Sequence, residues 1–147
     1  MKSWTREKRL RTRSVRGTLG LGEMLTELLA APKLVVLRGE LGMGKTVLVK
    51  GMAEALGADA EEVASPTFTL VHEYKGLKAR LIHLDLYRIE IEREIEGIGL
   101  WEMADAPDAL VMVEWGDKFT SVMERADAEI SITQGEAEDE RLLVVRW

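Results

Sequence analysis

A chain of 147 residues, 46% hydrophobic and 31% charged, has the size and apolar content of one folded domain. It contains no cysteine, which excludes disulfides and thiolate metal sites, and its two histidines, His72 and His83, fall in no metal-ligand spacing. The net charge of −6 hides an asymmetry: seven Lys and Arg against Glu7 alone in residues 1–16, and a strongly acidic remainder that disfavours a broad nucleic-acid surface.

The basic start has no apolar h-region, and no stretch approaches the roughly 20 apolar residues of a membrane span, so a cytoplasmic protein without membrane contact is expected. Residues 1–16 are expected to form a basic arm: a solvated terminus with a short charged edge strand, or a contact for RNA phosphates or an acidic partner. Residues 17–147 are expected to form a single domain. Thr18 is placed to cap a helix whose Leu21, Met24, Leu25, Leu28 and Leu29 make one apolar stripe ending near Pro32.

The run Leu34-Val35-Val36-Leu37 then reads as a strand, and directly after it stands Gly39-Glu40-Leu41-Gly42-Met43-Gly44-Lys45-Thr46. This is a complete G-x-x-x-x-G-K-[ST] phosphate loop, and a helical pattern with Leu48, Val49, Met52, Ala53 and Leu56 on one face follows it. A polyphosphate needs many converging donors, and glycines at Gly42 and Gly44 let backbone N–H groups wrap close to it. Lys45 opens the helix, where unpaired N–H groups and the dipole already favour an anion, and its ammonium reaches the β and γ phosphates. Thr46 offers a hydroxyl to Mg²⁺. The pattern points to a nucleoside triphosphate.

Ser65-Pro66-Thr67 leads into a strand-like stretch over residues 68–74, and residues 75–80 read as a solvated turn. Thr67 and Thr69 resemble the threonines of loops that sense a γ phosphate, although threonines in strands are commonly plain strand formers. Two further apolar runs end in an acid, Leu81-Ile82-His83-Leu84-Asp85 and Leu110-Val111-Met112-Val113-Glu114. Both read as central parallel strands covered on two faces. Pattern alone leaves open whether Asp85 or Glu114 serves the metal and which positions water. His83 reads as a core histidine, and Trp101 and Trp115 as core or partner-facing residues. Residues 90–96 and a second short segment read as helices between these strands. The C-terminus reads as an antiparallel hairpin turning at Gln134-Gly135. The expected fold is α/β: a phosphate-loop NTPase with a mixed, mainly parallel sheet flanked by helices.

Five segments, in order, resemble the bacterial TsaE (YjeE) family of tRNA threonylcarbamoyladenosine synthesis. They are Thr18-Leu19-Gly20-Leu21-Gly22-Glu23, the phosphate loop, Ser65-Pro66-Thr67-Phe68-Thr69-Leu70-Val71, His83-Leu84-Asp85-Leu86-Tyr87-Arg88 and Val113-Glu114-Trp115. The resemblance implies an ATPase that uses ATP and Mg²⁺ and acts as an accessory subunit of a TsaB–TsaD complex. TsaD carries the threonylcarbamoyl transfer to adenosine 37 of tRNAs reading codons that begin with A, so contact with tRNA is indirect. On matching positions, Gly39, Gly42, Met43, Gly44 and Lys45 would hold phosphates, Thr46 and Glu114 would bind Mg²⁺, Asp85 would be essential to hydrolysis, and Thr67 would belong to the nucleotide-sensing loop. The resemblance also suggests a backbone pocket for adenine near residues 15–18. Two positions depart from it: Met43 replaces a commoner alanine, and Gly116-Asp117 replaces proline and an acid after Trp115, which is expected to loosen that turn.

A small-molecule kinase would suit the same loop and strand-tip acids, but beyond the loop only Arg88 and Arg93 offer lid arginines. A nucleotide-gated binding module with negligible hydrolysis is a further alternative. A GTPase signature N-K-x-D is ruled out, since the chain contains no asparagine.

Overall fold

A computed structural model of the chain describes residues 2–59 and 70–147. Thr67 and the rest of the 65–69 segment therefore lie outside the described residues. Among the described residues, β1 (Glu7–Thr12), β2 (Lys33–Arg38), β3 (Val71–Lys75), β4 (Arg80–Asp85), β5 (Ala109–Glu114), β6 (Ala128–Gln134) and β7 (Arg141–Arg146) form one sheet, in the order β1-β7-β6-β2-β5-β4-β3. The central strands β6, β2, β5 and β4 pair in parallel, and β3 and β7 run against their neighbours. The mixed, mainly parallel sheet and the terminal hairpin β6–β7 thus match the sequence reading.

Alternation along the strands makes two cores. Val35, Leu37, Leu81, Leu110 and Met112 face α2 (Gly22–Leu28) and α3 (Lys45–Ala55), where Leu25, Leu48, Val49 and Met52 are fully buried. Leu34, Val36, Leu84, Val111 and Val113 face the opposite way, against Ile95 of α4 (Arg93–Gly97), Leu100 of α5 (Leu100–Asp105) and Val122 of α6 (Thr120–Arg125). Strands covered on both sides can be apolar at every position, which is why β2 and β5 show no polar alternation. At the sheet edge, β1 carries six residues of the basic segment and pairs antiparallel with β7; exposed Lys8, Arg9 and Arg11 charge a strand that, among the described residues, pairs on one side alone.

Helix initiation differs from expectation. The first helix, α1 (Val15–Leu19), is capped by Ser14, whose Oγ accepts from the Gly17 N–H at 3.0 Å. Thr18 instead lies inside α1, buried, with its hydroxyl 2.8 Å from that of Thr12. Both residues are good caps, and the tie to β1 selects Ser14 by turning Thr18 inward. The apolar stripe nonetheless packs as predicted, on α2 rather than on one long helix: Leu25 and Leu29 are fully buried, and Leu21, Met24 and Leu28 border the same core.

Two glycines permit this packing. A Cβ on Gly22 would sit 2.1 Å from the Gly51 carbonyl oxygen, and one on Gly51 would sit 2.4 Å from that of Leu19. The α1–α2 junction therefore rests directly on the backbone of α3, the helix that carries the phosphate loop. At the far end of the sheet, Arg80 makes a bidentate pair with Asp108 (both contacts 2.9 Å) and reaches Glu73 at 3.1 Å, helping to hold β3, β4 and β5 in register.

Gly51→Ala should lower stability by about 1–3 kcal/mol through overpacking. The check is urea unfolding: a lower midpoint with an unchanged slope is expected.

Candidate nucleotide-binding site

The loop after β2 is built by glycines with distinct roles. Gly42 (φ 85°) and Gly44 (φ 97°) adopt left-handed backbone, and Gly44 directly precedes α3. Gly39 serves close packing, since a Cβ there would lie 2.7 Å from the Ile132 side chain and 2.9 Å from its carbonyl oxygen. Met43 is half-buried against the first core, its N–H donates to the Glu40 carbonyl at 3.2 Å, and its carbonyl accepts from Arg141 Nε at 3.1 Å. Leu41 at the tip is almost wholly exposed. Thr46 stands half-buried in the first turn of α3, beside Lys45.

Parallel pairing brings the acids to this loop. Leu37 of β2, Glu114 of β5 and Asp85 of β4 are register partners across three adjacent strands, so both carboxylates reach the sheet edge from which the loop springs. Glu114 is buried and uses both oxygens: Oε1 lies 3.0 Å from Lys45 Nζ, and Oε2 lies 2.6 Å from His83 Nε2. Lys45 also donates to the Gly39 carbonyl at 2.5 Å. Asp85 is half-buried and its Oδ1 accepts from the Tyr87 N–H at 2.8 Å. Burial alone would raise the Glu114 carboxyl, but the hydrogen bond and attraction from His83, and then those from Lys45, outweigh it and hold the group below its ordinary value.

Lys45 and Glu114 are thus in contact and Asp85 is level with Glu114 on the next strand, with Gly39, Gly42, Met43, Gly44 and Thr46 in the adjoining loop and helix. His83 is different. It is fully buried, as a core histidine would be, yet one nitrogen meets Glu114 while Nδ1 has no partner among the described residues. The turn after Trp115 is also tighter than Gly116-Asp117 suggested. Gly116 fits between Val113 and Val122, where a Cβ would be 3.1 and 3.0 Å from their side chains, and Asp117 pairs with Arg38 at 3.5 Å. Lys118 Nζ donates to the carbonyls of Leu86, Tyr87 and Ile89 at 3.2, 2.8 and 2.8 Å, tying the segment after Asp85 to the segment after Glu114. Sequence reading missed this lysine, because nothing in its neighbourhood distinguishes it from a surface charge.

Trp115 takes a left-handed conformation (φ 62°), packs against Tyr87 with ring centroids 5.2 Å apart, and is 42% exposed. Trp101 borders the second core. Beside the loop lies a cleft of about 790 Å³ walled by Arg38, Leu41, Lys45, Trp115 and β6 residues including Ser131 and Thr133; Asp85 and Thr46 are not in its wall.

A phosphate loop between a parallel strand and its helix, with acids at the adjacent strand tips, defines a phosphate-loop NTPase fold with the features of a nucleotide-binding protein. The family model described as threonylcarbamoyl adenosine biosynthesis protein TsaE matches residues 12–143, and the chain belongs to that family. Proteins bearing the name tRNA threonylcarbamoyladenosine biosynthesis protein TsaE include one from Nostoc sp., 41% identical over 69% of this chain and 64% of its own length. Another, from Mycobacterium bovis, is 32% identical over 90% of this chain and 83% of its own. The matched region thus spans less than two thirds of the Nostoc relative. The crystal structure of YdiB from Bacillus subtilis superposes with a TM-score of 0.69 at 28% identity, covering 96% of this chain and 85% of that one.

The lowered Glu114 value fixes a pH dependence. Above the ordinary value of 4.5 its carboxylate is ionised in both folded and unfolded chains, and its stabilising contribution is complete. That contribution falls away as pH drops through the lowered folded value. Glu114→Gln should therefore flatten the stability profile below about pH 4.5, measured as urea midpoints at stepped pH.

Proposed function

We propose that this protein is a Mg²⁺-dependent ATPase of the cytoplasm that serves as an accessory subunit of a TsaB–TsaD complex forming N6-threonylcarbamoyladenosine on tRNA. It associates with tRNA only through that complex. The observation that carries the reading is the convergence of Lys45, Glu114 and Asp85 at one sheet edge, beside a loop that reaches left-handed backbone at Gly42 and Gly44.

The residues fit a triphosphate accompanied by a hard cation. Glu114 turns Oε1 toward Lys45 at the start of α3 and Thr46 follows Lys45 in that helix, a pair of oxygens that suits Mg²⁺ held by one or two protein ligands together with phosphates and water. Thr46 and Glu114 are the residues to hold it. Lys45, already aimed across the loop mouth, and the loop N–H groups hold the phosphates; Met43 contributes through its backbone, and Thr67 belongs to the loop that senses the γ phosphate. The cation supplies neutralisation of the charge that develops as the terminal phosphoryl group is transferred. Asp85, next to Glu114 and open to solvent on one side, orients the attacking water and accepts its proton. No helix of the described residues is long and apolar enough to cross a membrane.

Phosphate release from ATP should be slow for the protein alone and should rise at least about tenfold when both partner proteins are added; equal rates would mark an independent enzyme. Lys45→Ala should weaken ATP binding by at least about tenfold in calorimetry. Asp85→Ala and Glu114→Ala should abolish turnover with ATP binding only partly kept. Full turnover in both acid variants would refute their roles.

A further inference from the structure

His83 belongs to none of the roles assigned above, yet it is the most enclosed polar side chain near the site. It stands two residues before Asp85 on β4, and its position in register places it opposite Met112, two residues before Glu114 on β5. Leu81 of β4 and Leu110 and Met112 of β5 all belong to the core beneath α3. By alternation His83, Asp85 and Glu114 project on that same face, and His83 meets Glu114 along the diagonal between strands.

The contact is chemically one-sided. A carboxylate has only acceptors, so the short 2.6 Å approach requires the hydrogen to sit on Nε2. Nδ1 is buried and without a partner among the described residues. Leaving one ring nitrogen unmatched is unfavourable in an apolar core, and a leucine would fill the space without that cost. What the histidine adds is the grip on Oε2. With Oε2 held, the carboxylate plane cannot rotate, and Oε1 alone points toward Lys45 and the loop.

We propose that His83 is a positioning residue that pins Oε2 of Glu114, so that this carboxylate presents a single oxygen to the nucleotide site. The proposal rests on the assignment of Glu114 to that site. It is the logic by which groups behind a ligand fix its orientation, where loss commonly costs about 10–100-fold in affinity or activity.

Three measurements on the 147-residue chain decide it. In nitrogen-15 NMR of the unmodified protein, Nε2 of His83 should carry a hydrogen; an Nε2 without one would overturn the proposal without any variant. His83→Leu should then leave Mg²⁺-free ATP binding within about twofold of the parent, while weakening Mg²⁺-assisted ATP binding in calorimetry about tenfold or more and lowering kcat, measured with both partner proteins, by a similar factor. His83→Gln, whose amide nitrogen can reach the place of Nε2, should recover to within about threefold of the parent. Equal loss in the Leu and Gln variants, with both folded by circular dichroism, would overturn the proposal, as would parental behaviour of His83→Leu. If His83→Leu fails to fold, His83→Gln and the nitrogen-15 spectrum carry the decision: loss of Mg²⁺-assisted binding in a folded His83→Gln would count against it. Glu114→Gln separates the two readings. Unaltered binding and turnover in that variant would remove Glu114 from the site, whereas loss there combined with parental His83→Leu would reject the role of His83 alone.

Discussion

The site depends on parallel register. Because Leu37, Glu114 and Asp85 lie level on adjacent strands, and strands are about 4.8 Å apart, groups from three separate parts of the chain reach one edge without any loop having to stretch. The covering helices serve the same end. The contact of Gly22 with Gly51 seats α3 against the preceding helices, and α3 in turn fixes where Lys45 begins.

Within that frame, a polar chain runs from the Gly39 carbonyl through Lys45 and Glu114 to His83. A buried carboxylate with an unmatched charge would be strongly destabilising; here each oxygen meets a donor, one cationic and one imidazole. Among the described residues, Nδ1 of His83 is the buried side-chain atom left without a partner. Lys45 therefore joins a backbone loop to a strand-tip acid while remaining at the mouth of the cleft lined by Trp115 and Arg38.

Much of this was legible in the sequence, for reasons particular to each element. The phosphate loop is a local motif whose glycines and lysine are dictated by backbone geometry and charge, and the unbroken apolar runs of β2 and β5 announce strands covered on both faces. Less legible were choices between equivalent local signals. Ser14 and Thr18 are both acceptable caps, and only the long-range tie of Thr18 to Thr12 separates them. Contacts between distant residues were not legible at all: His83 and Glu114 are 31 positions apart, and Lys118 is 32, 31 and 29 positions from the carbonyls it binds. A sharper signal for His83 was available in retrospect, since a polar residue two places before a strand-tip acid shares that acid's face of the sheet.

The ammonium of Lys118 has a mechanical consequence. By gathering three carbonyls that follow Asp85 into a turn that follows Glu114, it couples the exits of two neighbouring strands into one stiff corner. The two carboxylates are then braced together from behind. A shift that moves one strand exit must therefore carry the other with it.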